Sequence, residues 1–223
     1  MARVFLQILR SNRLSLILAD GLGHGLHAHE AAREAVDVFD AAAESDPVRI
    51  LEDVHPALKS TRGAAVSVAT ADLDRGLLRY AGVGNVAGAI VAAGGGRHNL
   101  VTMNGTAGHR VGRLQEFQYP MPAGSILVLH SDGLSGGWDL ASYPGLKSRH
   151  PSVIAGVLFR DFSRRRDDVT VVVAKDRPPL GGEAPVFTQT VAIFLAARRH
   201  AAAPIRLRPK VPAEMLGFLR NCE

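Results

Sequence analysis

The sequence predicts a layered α/β protein built on mainly antiparallel sheets. Three observations carry that expectation. Helical segments lie between two batches of short, apolar, β-branched runs; short turns join neighbouring runs within a batch; and strictly alternating strand–helix–strand units are absent. At 223 residues the chain suits one domain with a substantial core.

The elements follow in order. Residues 4–9 and 14–19 read as two strands of a hairpin turning at Ser11-Asn12-Arg13. From residue 27 to 43, Ala28, Ala31, Ala32, Ala35, Val36 and Phe39 recur at helical spacing, with Glu30, Arg33, Glu34 and Asp37 offset from them. Asp46-Pro47 starts a second helix, because proline is tolerated in a first turn and aspartate can cap it. Residues 64–71, 77–82, 87–92 and 98–102 form an antiparallel meander punctuated by Asp74-Arg75-Gly76 and Gly94-Gly95-Gly96. Residues 104–113, rich in glycine and polar side chains, read as a surface loop, a candidate mobile flap beside a site. Residues 125–130 are an apolar strand aimed at Asp132, residues 151–162 have helical periodicity, and residues 169–174 make a closing strand. No internal repeat is found. Pro178, Pro179, Gly181 and Gly182 then form a linker, which divides the chain into a domain of residues 1–175 and a basic tail of residues 176–223. One apolar stretch in that tail leaves open a docking helix near residues 187–199 or an unstructured extension.

The formal charge is +5 and the sequence pI about 9.9, a balance that raises nucleic acid or a membrane surface as partners. Its distribution argues against both. Residues 176–223 hold seven Lys/Arg against four Asp/Glu, leaving 19 against 17 for the rest, and aromatic residues make up only 5%. No stretch approaches the roughly 18 apolar residues of a membrane span. Arg10 and Arg13 interrupt the apolar start, and its second run ends directly in Asp20, which reads as a strand delivering a loop and not as a leader. The single cysteine, Cys222, precludes a disulfide framework and a cysteine-based zinc site, so a reducing, cytoplasmic setting is expected.

Three acidic turns carry the functional reading: Asp20-Gly21-Leu22-Gly23-His24-Gly25, Ser131-Asp132-Gly133 and Asp167-Asp168-Val169-Thr170. Each flanks an apolar run. Carboxylates at strand ends can converge, and clustered hard oxygen ligands are what Mg²⁺ or Mn²⁺ requires, so a metal-dependent hydrolase is expected. Taken singly, each aspartate reads as a cap or an Asx turn; the conjunction points to chemistry. The first turn also approaches the dinucleotide fingerprint, but Leu26 stands where a small residue is needed, and Asp20 would repel a pyrophosphate.

In that order, these three motifs resemble the metal-dependent PPM (PP2C-like) protein phosphatases, specifically their SpoIIE-like bacterial branch. Tyr80-Ala81-Gly82-Val83-Gly84-Asn85 matches the branch's strand-turn segment, and the resemblance covers roughly residues 3–175. It implies an αββα sandwich, two mainly antiparallel sheets flanked by helices, holding two Mn²⁺ or Mg²⁺ ions at one end. It further implies that Asp20 bridges both ions, that the Gly21 carbonyl helps to bind one, and that Asp132 and Asp167 complete the other's shell, with Asp168 ranked below them. Two such ions about 4 Å apart activate a water and offset charge on the phosphoryl oxygens. With no cysteine in a phosphate-cradling loop, direct hydrolysis is the remaining route. One departure stands out: the family's first-strand Gly-Asp would fall near Met1 to Arg3, and no acidic residue precedes Asp20. Either the chain start is trimmed or one ion is held with a ligand fewer.

The remaining candidates read more plainly. His24 is equally a group positioning a phosphoryl oxygen or water and a turn histidine bonded to backbone. His27 and His29 lack the spacing to share a helical face, His109 reads as a solvated loop side chain, and His130 as a hydrogen-bonded core residue. Arg164, Arg165 and Arg166 read as a solvated charge run. The expected activity is therefore that of a soluble Mn²⁺/Mg²⁺-dependent phosphoserine/phosphothreonine protein phosphatase. By resemblance, its substrate is a phosphorylated regulatory protein of the anti-sigma antagonist (STAS) type. The alternative is a phosphatase-like binding module that turns over poorly for want of the first-strand ligand.

Overall fold

The computed structural model describes residues 2–10, 13–42, 44–164, 168–177 and 188–196. Strands β1 (Ala2–Arg10) and β2 (Arg13–Gly21) form the expected hairpin, in register from Ala2↔Asp20 to Ile8↔Leu14, with a shift before Arg10↔Arg13. Helices α1 (Leu26–Ala42) and α2 (Pro47–Ala57) follow, then β3 (Ala64–Asp72), β4 (Leu77–Val83), β5 (Ala87–Val91) and β6 (Arg97–Asn99). Two-residue strands β7 (Gly105–Thr106) and β8 (Arg110–Val111) precede β9 (Phe117–Pro120), β10 (Ile126–His130), α3 (Pro151–Phe162), β11 (Val169–Arg177) and β12 (Thr188–Ala196).

One sheet has the order β1-β2-β3-β4-β9 and the other β12-β11-β10-β5-β6, with every pairing antiparallel. Period-2 alternation sorts each strand's side chains into layers. Leu14, Leu16, Leu18, Leu78 and Tyr80 of the first sheet meet Ile90, Leu127, Leu129 and Val172 of the second in a central core. Ile17, Ala19, Val66 and Val68, on the first sheet's other face, pack against Ala32, Val36 and Phe39 of α1 and Ile50 and Val54 of α2. Val128, Val171 and Val173 of the second sheet pack against Ile154, Ala155 and Leu158 of α3. Helices, sheet, sheet and helix thus stack as the αββα sandwich that the resemblance implies, and mainly antiparallel sheets are what the pattern of runs predicts.

Four local readings are corrected. The meander of residues 64–102 is split between the sheets: β3 and β4 pair in the first, β5 and β6 in the second, and β9 takes the place beside β4. β5 is instead covered by β10, from Ala87↔His130 to Val91↔Ile126. The loop of residues 104–113 is not a free flap. Ala107 is buried and exchanges both backbone hydrogen bonds with Ala64 (2.9 and 3.0 Å), while the Gly108 amide donates to His55 Nδ1 at 3.1 Å. Asp46 does not cap α2, although Pro47 does open it; its carboxylate accepts from Arg79 Nη1 at 2.5 Å and so ties the helix start to β4. Finally, where a docking helix was one option, residues 188–196 form a strand that pairs with β11 along its length, from Val169↔Ala196 to Arg177↔Thr188. Thr188, Thr190, Val191 and Ile193 favour an extended chain there.

Arg79 also donates from Nε to Glu116 Oε1 at 2.7 Å, and Glu116 Oε2 is buried without a hydrogen-bond partner among the described residues. The exposed Asp46 half of this cluster contributes little to stability, whereas removing the cation would strand the Glu116 carboxylate. Arg79→Ala is therefore expected to cost about 1–3 kcal/mol in urea unfolding, and adding Glu116→Gln to recover a substantial part of that loss. An Arg79→Ala midpoint equal to wild type would contradict this account.

Candidate functional site

β2 delivers the first acidic turn. Gly21 is buried at the strand end, where a Cβ would lie 1.9 Å from the Ala28 carbonyl oxygen, so α1 sits directly on its backbone and no side chain is accommodated. The Leu22 amide donates to the Gly63 carbonyl at 2.9 Å, which fastens the turn to the loop entering β3. Residues 22–25 are exposed, and Asp20 is partly buried behind them.

β10 delivers the second. Beyond its end, the Ser131 amide donates to the Thr170 carbonyl, and the Thr170 amide donates back to Ser131 Oγ, both at 3.1 Å. A Cβ on Gly133 would lie 2.3 Å from the Asp168 carbonyl oxygen, so the two acidic turns are in backbone contact. On the other side, Arg164 N donates to Gly133 O (2.9 Å) and Ser135 N to Phe162 O (2.8 Å). The turn bearing Asp132 is thus braced by the segments before and after residues 165–167.

The link between the sheets runs through the short connection from β4 to β5. Asp20 faces Ala65 across β2 and β3. A Cβ on Gly84 would lie 2.6 Å from that of Ala65, so the chain leaving β4 crosses directly over Asp20's neighbour. The next residue, Asn85, donates from Nδ2 to Asp132 Oδ2. This sequence of contacts sets Asp20, Asp132 and Asp168 at the same end of the sandwich, at the end of β2, after β10 and before β11. Asp167 lies outside the described residues. Among the described residues, no three His, Cys, Asp or Glu side chains converge into a group able to hold a metal ion. What they supply is carboxylate oxygens, with the Gly21 carbonyl beside them in sequence, a hard donor set of the type Mg²⁺ and Mn²⁺ take. The position across the hairpin from Asp20 is Ala2, so β1 brings no carboxylate there.

Of the other titratable candidates, His130 plays a structural part. His130 is buried; Trp138 Nε1 can only donate, so His130 Nε2 accepts (3.4 Å) and Nδ1–H donates to the Ser131 carbonyl (2.9 Å). Burial, the larger cause, holds its pKa below the usual histidine value, consistent with this neutral tautomer. His27 Nδ1 lies 3.2 Å from Glu30 Oε2 on the exposed face of α1, and His24 and His109 are exposed. Arg97 stacks 3.8 Å over the Trp138 ring and donates to the Trp138 and Gly136 carbonyls, which pins the loop after Asp132. Two residues at the site carried no individual role in the sequence reading. Asn85 stood inside a matched motif, but its bond to Asp132 spans 47 residues. Arg62 precedes β3 with no local signal, and its Nη1 lies 3.0 Å from where a Cβ on Gly23 would be.

The fold and the ordered acidic turns define the class to which comparison then assigns the chain. The model of the family described as Stage II sporulation protein E (SpoIIE) matches residues 10–177, and the chain belongs to that family. A curated relative, phosphoserine phosphatase RsbX of Bacillus subtilis (strain 168), is 26% identical over 158 residues, covering 71% of this chain and 78% of the relative. Among solved structures, one described as the bacterial stressosome, a modular system adapted to control secondary messenger signalling, aligns with a TM-score of 0.68 at 26% identity. It covers 77% of this chain and 89% of its own. RsbX in complex with magnesium aligns with a TM-score of 0.66 at 24% identity, covering 77% and 85%.

The backbone contact between the second and third turns is directly testable. Gly133→Ala forces the Asp168 carbonyl away and is expected to destabilise the fold by about 1–3 kcal/mol through overpacking. Thermal unfolding of Gly133→Ala and of exposed Gly137→Ala measures it; equal melting temperatures for the two would refute the close approach.

Proposed function

We propose that this chain is a divalent-metal-dependent phosphatase that hydrolyses phosphoserine or phosphothreonine on a regulatory protein of a partner-switching pathway. Asp20, the Gly21 carbonyl, Asp132 and Asp167 would hold Mn²⁺ or Mg²⁺. The observation that carries this reading is the Asn85 amide on the Asp132 carboxylate, a bond that aims an acid from one sheet toward the end of the other that bears Asp20. Family membership and the likeness to a phosphoserine phosphatase support it.

Bound at these oxygens, the ions supply Lewis-acid charge neutralisation and lower the free energy of hydroxide at neutral pH. The chain's own residues do the rest. Asn85 holds the Asp132 carboxylate in one orientation, and Ser131 locks the turn beneath it through Thr170. Residues 22–25 leave the mouth open, and two of the few large hydrophobic side chains exposed among the described residues, Leu22 (40%) and Leu26 (68%), stand beside it. Exposed apolar groups at the mouth suit a protein substrate better than a small phosphate ester. The family likeness to RsbX and to a stressosome structure supports a regulatory phosphoprotein, which we assign to the STAS type. We assign the chain to the cytoplasm, because a single cysteine suits a reducing setting.

Hydrolysis of a phosphoserine protein and of p-nitrophenyl phosphate is expected to need Mn²⁺ or Mg²⁺, to stop with EDTA, and to fall by at least about 100-fold in kcat/KM with Asp132→Ala. Turnover indifferent to both would remove the reading, and partner binding without turnover would favour a non-hydrolytic module. Asn85→Ala should keep the fold while raising the Mn²⁺ concentration needed for half-maximal rate about 10- to 100-fold. An unchanged metal requirement would show that Asn85 does not orient the ligand.

A further inference from the structure

We propose that Arg62 holds the phosphoryl oxygens of the substrate, an assignment that rests on the phosphatase reading but concerns a residue outside the acidic turns. Arg62 lies in the loop between α2 and β3. Thr61 Oγ1 shapes that loop by donating to the Leu58 carbonyl (2.8 Å) and accepting from the Gly63 amide (3.0 Å). The Gly63 carbonyl then accepts the Leu22 amide at 2.9 Å, and the Ala64 backbone is doubly bonded to Ala107. The backbone on both sides of Arg62 is therefore fastened, on one side directly to the turn that follows Asp20.

The side chain lies along that turn. Its Nη1 comes within 3.0 Å of the position a Cβ would occupy on Gly23, three residues beyond Asp20, so glycine leaves the space the guanidinium fills. Arg62 is exposed and makes no ion pair or side-chain hydrogen bond among the described residues. Arg33, Arg49, Arg75, Arg79 and Arg160, by contrast, each face a carboxylate. An arginine held by a fixed loop at the mouth of a site, with its donors not committed to protein carboxylates, is suited to an anionic ligand. The planar fork of a guanidinium matches two oxygens of a phosphoryl group, which an ammonium cannot do. Arg62 donates hydrogen bonds only; it neither transfers a proton nor forms a covalent bond. It orients the phosphorus and offsets charge on the phosphoryl oxygens beside Gly23.

The probe is inorganic phosphate, titrated calorimetrically into the full chain with saturating Mn²⁺, alongside steady-state hydrolysis of a phosphoserine protein. Arg62→Ala is expected to weaken phosphate binding and raise KM, each by about 10- to 100-fold, the loss of one charged hydrogen-bonding partner. Arg62→Lys should fall between, and Mn²⁺ affinity and melting temperature should stay at wild-type values. Phosphate affinity within twofold of wild type in Arg62→Ala, or no phosphate binding by the wild-type chain, overturns the proposal. The two readings separate cleanly. Mn²⁺-dependent turnover with an unaltered Arg62→Ala sinks Arg62 alone, whereas Arg62-dependent phosphate binding without turnover sinks the phosphatase reading and leaves the anion site.

Discussion

The site depends on the short passage from Val83 to Ala87, where the chain leaves one sheet and enters the other. A hairpin here would have kept β4 and β5 side by side and, with β10 paired to β5, would have spread the acidic turns of β2 and β10 along a single sheet. Instead Gly84 presses against Ala65, the neighbour of Asp20, and Asn85 reaches Asp132. One residue without a side chain and one with an amide thus couple the ends of the two sheets. The close approach requires glycine because any Cβ would collide with Ala65, and the amide suits its place because it donates to a carboxylate without adding charge.

Around that junction the architecture acts as a brace. Three apolar layers fix the sheets to each other and to the helices. The turns are then set by close contacts: Gly21 beneath α1 and Gly133 against Asp168, backbone on backbone, and Ser131, whose amide and Oγ both bond the Thr170 backbone. Such contacts tolerate little displacement, and a site that positions hard cations needs its donors held to well under an ångström. Residues 22–25, with Leu26 and Arg62, form the exposed portion beside these fixed turns.

Much of this was legible in the sequence. Helical spacing from Ala28 to Phe39 gave α1 to within a residue, and residues 151–162 matched α3. The acidic turns were visible because glycine and aspartate interrupt long apolar runs. Sheet membership was not visible, since β3 to β6 have the same local pattern whether they form one meander or two halves of a sandwich; only the pairing of β5 with β10, far along the chain, decides it. The strand β12 was obscured by the prolines and glycines before it, and its partner β11 already read as the closing strand. The flap reading failed because glycine and polar residues signal exposure, whereas two backbone bonds from Ala107 to Ala64 and one from Gly108 to His55 hold that loop down. Arg62 and Asn85 carry no motif of their own; their significance is spatial.

Asp20 and Asp132, carried by different sheets, are proposed to serve one cation site. Anomalous X-ray diffraction from crystals soaked in Mn²⁺ tests it most directly. The account predicts manganese density touching carboxylate oxygens of both residues, at the distance of about 2.1 Å typical of small hard cations. Manganese bound elsewhere, or to one of these aspartates with the other out of reach of any ion, would contradict it.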